Sequence, residues 1–277
     1  MRPRVGHIQF INCFPLFYGL IEKKFLLEID LIKGNPSDLN RMLKEDILDM
    51  AAIPSVAYAR NYRDYILMPD ISISGDGEIK SIYLFSKIPI EDLHCRKVAL
   101  TNTSATSQAL LRIIMARFYN ASPEYFDSAP ELGAMLMEAD AALLIGDDAL
   151  RAYYHFQNQK RLYIYDLGQE WKKFTGLPMV FAVWAMRQDW AAKHLDQVMT
   201  IRDTFVESIR FSLENVQDAA AKASQWEDFG ADYLVDYFHK LRFDFDETKQ
   251  EGLMEYYRQA HILGLIDEVP PLKILNI

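Results

Sequence analysis

The order of apolar and polar positions divides the chain into two runs of alternating strand and helix, followed by a helical tail. Residues 4–11, RVGHIQFI, predict a first strand, closed by the turn Asn12-Cys13-Phe14-Pro15 and a helix over 16–24. Residues 28–32 predict a second strand. Asn35-Pro36-Ser37-Asp38 then opens a helix with Leu39, Met42 and Leu43 on its apolar face, the proline sitting early where its missing N–H matters least. Residues 47–53 predict a third strand, and Pro54-Ser55 opens a helix to Arg60. This βαβαβα order implies a parallel sheet covered on both faces. Ligands of such sheets sit at the C-terminal ends of strands, where Asn12 and Ser55 fall.

Segments 65–69 and 71–74 lead to the turn Gly75-Asp76-Gly77, and residues 79–86 predict a long strand. In it the polar pair Lys80-Ser81 precedes the run Ile82–Phe85, which fits either a solvated strand edge or a hydroxyl aimed into a cleft. After a connector at 88–96, a second alternation begins: strand 97–101, helix 104–118, a short strand near 125–126, helix 130–137 and strand 141–145, which ends at Gly146-Asp147-Asp148. Strand 162–165, a helix from Asp166 to Phe174 and a turn at 175–178 precede MVFAVWAM, 179–186, a continuous apolar strand that crosses back to the first lobe. From Asp189 the pattern is helical through 214, over 216–225, 230–240 and 246–263, with cap signals at Asp189, Asn215 and Asp246. The expected plan is two α/β lobes joined by crossing strands. Lobe one is 1–87 plus 188–277, lobe two is 88–187, and the ligand pocket lies between them.

The densest polar chemistry lies at Thr101-Asn102-Thr103-Ser104-Ala105-Thr106-Ser107, between the apolar strand Val98-Ala99-Leu100 and the helical face Leu110, Leu111, Ile113, Ile114 and Met115. Five hydroxyls in seven positions exceed what a helix cap needs. Strand, hydroxyl loop and helix N-terminus together make a seat for a carboxylate or phosphate bound without a lysine. The net charge of −9 and the absence of a basic stripe argue against a nucleic-acid partner. No apolar stretch approaches a membrane span, and the N-terminal run is interrupted by His7, Gln9, Asn12 and Pro15, a poor secretion signal. Cys13 and Cys95 lack metal or redox spacing and read as reduced thiols of a cytoplasmic protein.

Cofactor and catalytic motifs are missing: no GxxxxGK[ST], no GxGxxG after the first strand, no HExxH and no GxSxG. The six histidines are scattered, and only His7 lies on a strand expected to reach the cleft, where a satisfied sheet histidine is the default reading. Asp147-Asp148 follows a strand end, and one of the two is expected to cap a helix starting at Ala149. A third metal ligand is absent at short spacing, so no metal is expected. Trp171, Phe181 and Trp184 lie near the lobe crossing, with core packing the default for each. Residue chemistry therefore leaves two classes: a hinge-closing binder of a small anion, or a cofactor-free enzyme working by positioning and electrostatics.

Five stretches taken together carry a family likeness: RVGHIQFINCFPLFYGL; Pro69-Asp70-Ile71-Ser72-Ile73-Ser74-Gly75 followed by Gly77 to Ser86; VALTNTSATSQALLRII; ALLIGDDAL; and DLGQEWKKFTGLPMVFAVW. In this order they resemble the chorismate dehydratases of the futalosine route to menaquinone, over residues 4 to about 187. The resemblance implies a two-lobed, type II periplasmic-binding-protein-like α/β fold with the cleft between lobes, working in the cytoplasm. It implies conversion of the dicarboxylate chorismate to 3-[(1-carboxyvinyl)oxy]benzoate and water, without cofactor. Asn12 and Ser81 match positions that place polar side chains on the substrate and are assigned as catalytic. Ser55, Thr103, Ser104, Thr106, Ser107, Asp147 and Phe181 are the candidates for substrate contact. The base is the substrate's own enolpyruvyl carboxylate or His7. A paralogous dihydroxynaphthoate synthase of the same pathway and a non-catalytic small-anion-binding protein are the alternatives. The oligomeric state is left open.

Overall fold

The computed structural model describes residues 2–25, 28–157 and 161–276. Two sheets form two cores. The chain enters through β1 (Arg4–Ile8), α1 (Phe14–Glu22), β2 (Asp30–Gly34), α2 (Pro36–Lys44), β3 (Met50–Pro54), α3 (Ser55–Asn61) and β4 (Tyr65–Gly75). The second unit holds β5 (Ile82–Ser86), β6 (Lys97–Thr101), α4 (Ala105–Ile113, widening into a π turn over Ile114–Phe118), β7 (Glu124–Ser128), α5 (Leu132–Glu138), β8 (Ala141–Ile145), α6 (Gly146–Phe156), β9 (Tyr163–Asp166) and α7 (Leu167–Thr175). Then come β10 (Met179–Arg187), α8 (Gln188–Ala191), α9 (Leu195–Glu214), α10 (Val216–Ala223), α11 (Ala231–Lys240), β11 (Leu241–Arg242) and α12 (Glu247–Ile262).

The first sheet runs β11-β4-β10-β3-β1-β2 and the second β7-β6-β8-β5-β9. The expected parallel pairing holds for β1 with β2 and β3, and for β6 with β7 and β8. Both sheets are nevertheless mixed. β5 pairs antiparallel with β8 and β9, and β10 antiparallel with β3 and β4. These are the two strands that deliver the chain from one lobe to the other, and each enters its new sheet against the local direction. The lobe boundaries shift accordingly. Ile82–Ser86 belongs to the second sheet and Met179–Arg187 to the first, so by sheet membership the crossings lie at 76–81 and 176–178, not at 87 and 187. An apolar run reports burial but not which sheet buries it, which is why both expected boundaries fell one strand late.

Several expected elements change in detail. Segments 65–69 and 71–74 are one strand, with a bulge between them where Asp70 adopts a left-handed conformation (φ 64°) and the register against β10 shifts. The strand expected over 79–86 begins only at Ile82, since Lys80 is also left-handed (φ 63°) and breaks it. Asn35 and Asp246 cap their helices as expected, accepting from Asp38 N and Lys249 N. Asp189 and Asn215 make no side-chain cap.

The helical tail returns to lobe one. β11 extends its sheet beside β4, and Ile274 bridges to Leu67. α9 buttresses α1: the Ser212 hydroxyl donates to Pro15 O at 2.5 Å, Ser208 donates to Leu16 O, and Gly19 lies so close to the Ser208 backbone that no side chain fits there. This fixes the helix that follows the Asn12 turn. α12 lies against both lobes. Tyr257 Oη donates to Ser55 O at the start of α3, and Tyr256 Oη to Thr106 O at the start of α4.

Candidate functional site

The ends of β1, β3, β5 and β8 and the starts of α4 and α6 converge on one cavity between the lobes. Its cavity volume is about 50 Å³, and its polar lining is Asn12, Ser81, Ser104 and Ser107. The walls are apolar: Ile8, Phe10, Ile73, Ile79, Ile145 and Phe181 among others, with Leu241 contributed by the tail. Among the described residues no charged side chain lines it.

Asn12 sits in a 3₁₀ turn, Ile11–Cys13, made by the Phe10 carbonyl accepting from Cys13 N at 3.0 Å. Its amide oxygen is buried and finds no hydrogen-bond partner among the described residues. Ser81 sits at the end of the 76–81 crossing. Asp166 holds that segment from the second lobe: its Oδ2 accepts from Ile79 N at 3.0 Å and Lys80 N at 2.7 Å, while its Oδ1 caps α7 by accepting from Gln169 N at 3.0 Å. The Ser81 carbonyl accepts from Gly146 N at 2.8 Å. The Ser81 side chain is therefore presented from a backbone tied on both sides. Tyr237 of α11 is fully buried beside Ser81. Its hydroxyl lies outside hydrogen-bond geometry, and burial pushes the phenol far above its ordinary range.

The hydroxyl loop divides by helical phase. Ser104 caps α4, accepting from Ser107 N at 3.3 Å, and its hydroxyl donates to Ser107 Oγ at 3.1 Å; both line the cavity. Thr106 points elsewhere. Its Oγ1 accepts from Val56 N at 3.2 Å, capping the first turn of α3 from the other lobe. Thr103 is paired with Thr101, Oγ1 to Oγ1, at 2.8 Å. Ser55 is completely buried and donates to Val180 O at 2.7 Å. Thr103, Thr106, Ser55 and Asp147 thus do not line the cavity.

Asp147 does not cap a helix at Ala149. α6 already starts at Gly146, and Asp147 Oδ1 instead reaches the other lobe, accepting from Ile11 N at 3.0 Å. Burial raises its carboxyl to about 6, opposed by the Ile11 hydrogen bond. His7 faces away from the cavity. It lies against the Phe17 ring, centroids 4.2 Å apart, in a separate groove lined by α1 residues, and burial lowers its pKa. Trp171 and Trp184 are core: Trp171 Nε1 donates to Pro178 O, and Trp184 packs on Phe205. The described residues contain no group of three or more His, Cys, Asp or Glu placed to hold a metal, and no helix long and apolar enough to cross a membrane.

Two features of the site escaped the sequence. Leu241 comes from the tail, where no pattern points to the cleft. Gly146 was visible in ALLIGDDAL, and its role needs the fold. With φ at 61° it begins α6, and a Cβ there would meet the Phe10 ring of lobe one at 3.1 Å. The missing side chain lets the two lobes meet at the edge of the cavity.

The chemistry of such a site is that of neutral donors and helix N-termini converging on a water-poor pocket. α2, α3, α4 and α6 all start at it, through Pro36, Pro54, Ser104 and Gly146. Four N-terminal dipole ends favour an anion there without a cationic side chain.

Comparison with known proteins agrees with this architecture. A curated chorismate dehydratase of Thermus thermophilus is 30% identical over 280 residues, covering 96% of this chain and 97% of that one. A chorismate dehydratase of Campylobacter jejuni is 29% identical over 184 residues, 64% of each chain. A solved protein of Archaeoglobus fulgidus superposes with a TM-score of 0.76 at 23% identity, over 96% of this chain and 98% of that one. The periplasmic aliphatic sulphonate binding protein of Escherichia coli superposes at 0.71 with 12% identity, over 98% and 90%, so the fold is the two-lobed one of periplasmic binding proteins. The family model for menaquinone biosynthesis matches residues 3–261, and the chain belongs to that family.

Proposed function

We propose that this protein is a chorismate dehydratase, a hydro-lyase that converts chorismate to 3-[(1-carboxyvinyl)oxy]benzoate and water in menaquinone biosynthesis. The observation that carries the reading is the full-length similarity to the Thermus thermophilus chorismate dehydratase, and the anion-favouring cavity between the lobes supports it. The reaction removes the ring C3 hydrogen and the C4 hydroxyl and leaves an aromatic ring, so it runs downhill and calls for no redox group.

In this reading Ser104 and Ser107, with the first N–H groups of α4, seat one substrate carboxylate, and Phe181 forms the wall beside the ring. Asn12 and Ser81 donate to the ring carboxylate, onto which charge from C3 delocalises through the ring diene. Each such donor is worth about 3 kcal/mol when it meets charge that develops only in the transition state. The unpartnered Asn12 amide oxygen supports a substrate hydroxyl as its donor, since buried polar atoms are rarely left unpaired. The proton goes to the substrate's own enolpyruvyl carboxylate and passes from there to the departing C4 hydroxyl, which leaves as water, because His7 is turned away from the cavity and none of the described residues lining it is a base. Positioning by the two lobes then supplies much of the rate. Cytoplasmic residence belongs to the same reading: Cys13 and Cys95 are both free, and Cys95 is exposed.

Incubating the purified protein with chorismate tests this. Loss of the ring proton and growth of a new aromatic absorbance are expected. An inert chorismate, together with turnover of cyclic dehypoxanthinyl futalosine, would assign the chain to the paralogous synthase. Binding without turnover would make it an anion-binding protein.

A further inference from the structure

The two groups placed on the ring carboxylate, Asn12 and Ser81, come from separate stretches of chain, and a single dipeptide of the second lobe touches the backbone beside each. Gly146 N donates to the Ser81 carbonyl at 2.8 Å. Asp147 Oδ1 accepts from Ile11 N at 3.0 Å, one residue before Asn12 and inside the same 3₁₀ turn. Gly146 also receives the Phe10 ring, immediately ahead of that turn. Ile11 N has no other acceptor among the described residues, because it opens the turn, where the first N–H groups lack internal partners.

Asp147 is held in place in turn. It lies in the first turn of α6, where the helix dipole suits a carboxylate. Its charged neighbours from every side are Asp148 and Arg151 on α6 and Glu227 on the loop before α11; Cys13 and Tyr237 are the titratable groups facing it from lobe one. Arg151 is shared between Asp148, at 3.5 Å, and Glu227, at 3.3 Å, so it is not a direct partner of Asp147. The carboxylate's only hydrogen bond among the described residues is the one across the cleft.

We propose that Asp147 is a positioning residue that, with Gly146, registers the Asn12 turn against Ser81, so that both groups reach the ring carboxylate only when the lobes are together. This deepens the dehydratase reading and rests on it. It also replaces the expectation that Asp147 contacts substrate. Because Asp147 acts through the Ile11 N–H, an acceptor of the same shape substitutes for it in part.

Asp147→Ala and Asp147→Asn, each checked by thermal melting, distinguish the roles. Losing a hydrogen bond to a charged group is expected to lower kcat about tenfold or more in Asp147→Ala, with KM changed less than about threefold. Asp147→Asn, which keeps an acceptor oxygen, should recover most of that loss. In parallel, amide exchange read by NMR should show Ile11 N–H exposed in Asp147→Ala and protected in Asp147→Asn. Two results overturn the proposal: an unchanged kcat in Asp147→Ala, or an Asp147→Asn variant as slow as alanine with Ile11 still protected, which would put the carboxylate on the substrate. If the wild type fails to dehydrate chorismate, the functional reading falls, while the exchange of Ile11 N–H still decides whether Asp147 holds the turn.

Discussion

Ser104, Thr106 and Ser107 show at the residue scale how far composition reaches. Hydroxyl density in 101–107 marks an anion seat, but a helix turns about 100° per residue, so positions 104 and 107 share a face and 106 does not. The face that meets the cleft is set by α4 packing against α3 and α12. Two substitutions that look alike in sequence therefore separate. Ser104→Ala should weaken chorismate binding by about 1.5–3 kcal/mol in calorimetry, the loss of a charge-assisted hydrogen bond. Thr106→Ala should bind chorismate nearly normally and lose about 1 kcal/mol of stability in denaturant titration, because it uncaps α3. Asn12 and Ser81 substitutions should lower kcat more than they raise KM, as their hydrogen bonds strengthen while charge moves onto the ring. His7→Ala, in the Phe17 groove, should keep the pH profile of turnover; loss in that variant of an inflection below the ordinary imidazole range would return His7 to the base role.

At the element scale the strands and helices follow the period of apolar residues, while the joints between them follow single polar atoms. Asp166 is the clearest joint. It was legible as the start of a helix, yet its second oxygen pins Ile79 and Lys80, 86 residues or more away in sequence, and so aims Ser81. Gly168 lies directly over the Gly77 carbonyl of the same crossing. Gly168→Ala must push that backbone away, and it should cost about 1–3 kcal/mol in denaturant titration and lower turnover together. The first turn of α6 carries a pH signature. The Asp147 carboxyl is raised to about 6, so the folded state holds its proton more tightly than the unfolded chain does. Its contribution to stability is fully present below about 4 and is lost as pH rises through about 6. Asp147→Asn does not titrate, so its stability relative to wild type should improve between pH 5 and 8 by on the order of 1–2 kcal/mol, read from melts across that range.

For the whole molecule, two cores joined by crossing strands put a neutral, apolar-walled cavity where four helix N-termini meet. Ties between the lobes, Thr106 to Val56, Asp147 to Ile11 and Arg151 to Glu227, hold the two halves in register. Elimination to an aromatic product asks for placement and charge stabilisation, which such a frame supplies. Protein treated with a strong chelator and desalted should therefore retain its dehydratase activity. Activity restored only by a divalent metal would show that a ligand set had been overlooked.

The sequence by itself determined the alternation of strand and helix, the two-lobed plan and the family, because period and local motif are properties of neighbouring residues. The strand-end position of Asn12 and the hydroxyl-rich start of α4 were legible for the same reason, whereas Ser81, expected inside a strand, lies in the crossing before β5. Only the tertiary structure decided which sheet β5 joins, which hydroxyls face the cavity, that His7 turns toward Phe17, and that Asp147 reaches across to Ile11. Each of these depends on contacts between residues far apart in the chain, where an apolar run or a lone polar side chain carries no record of its partner.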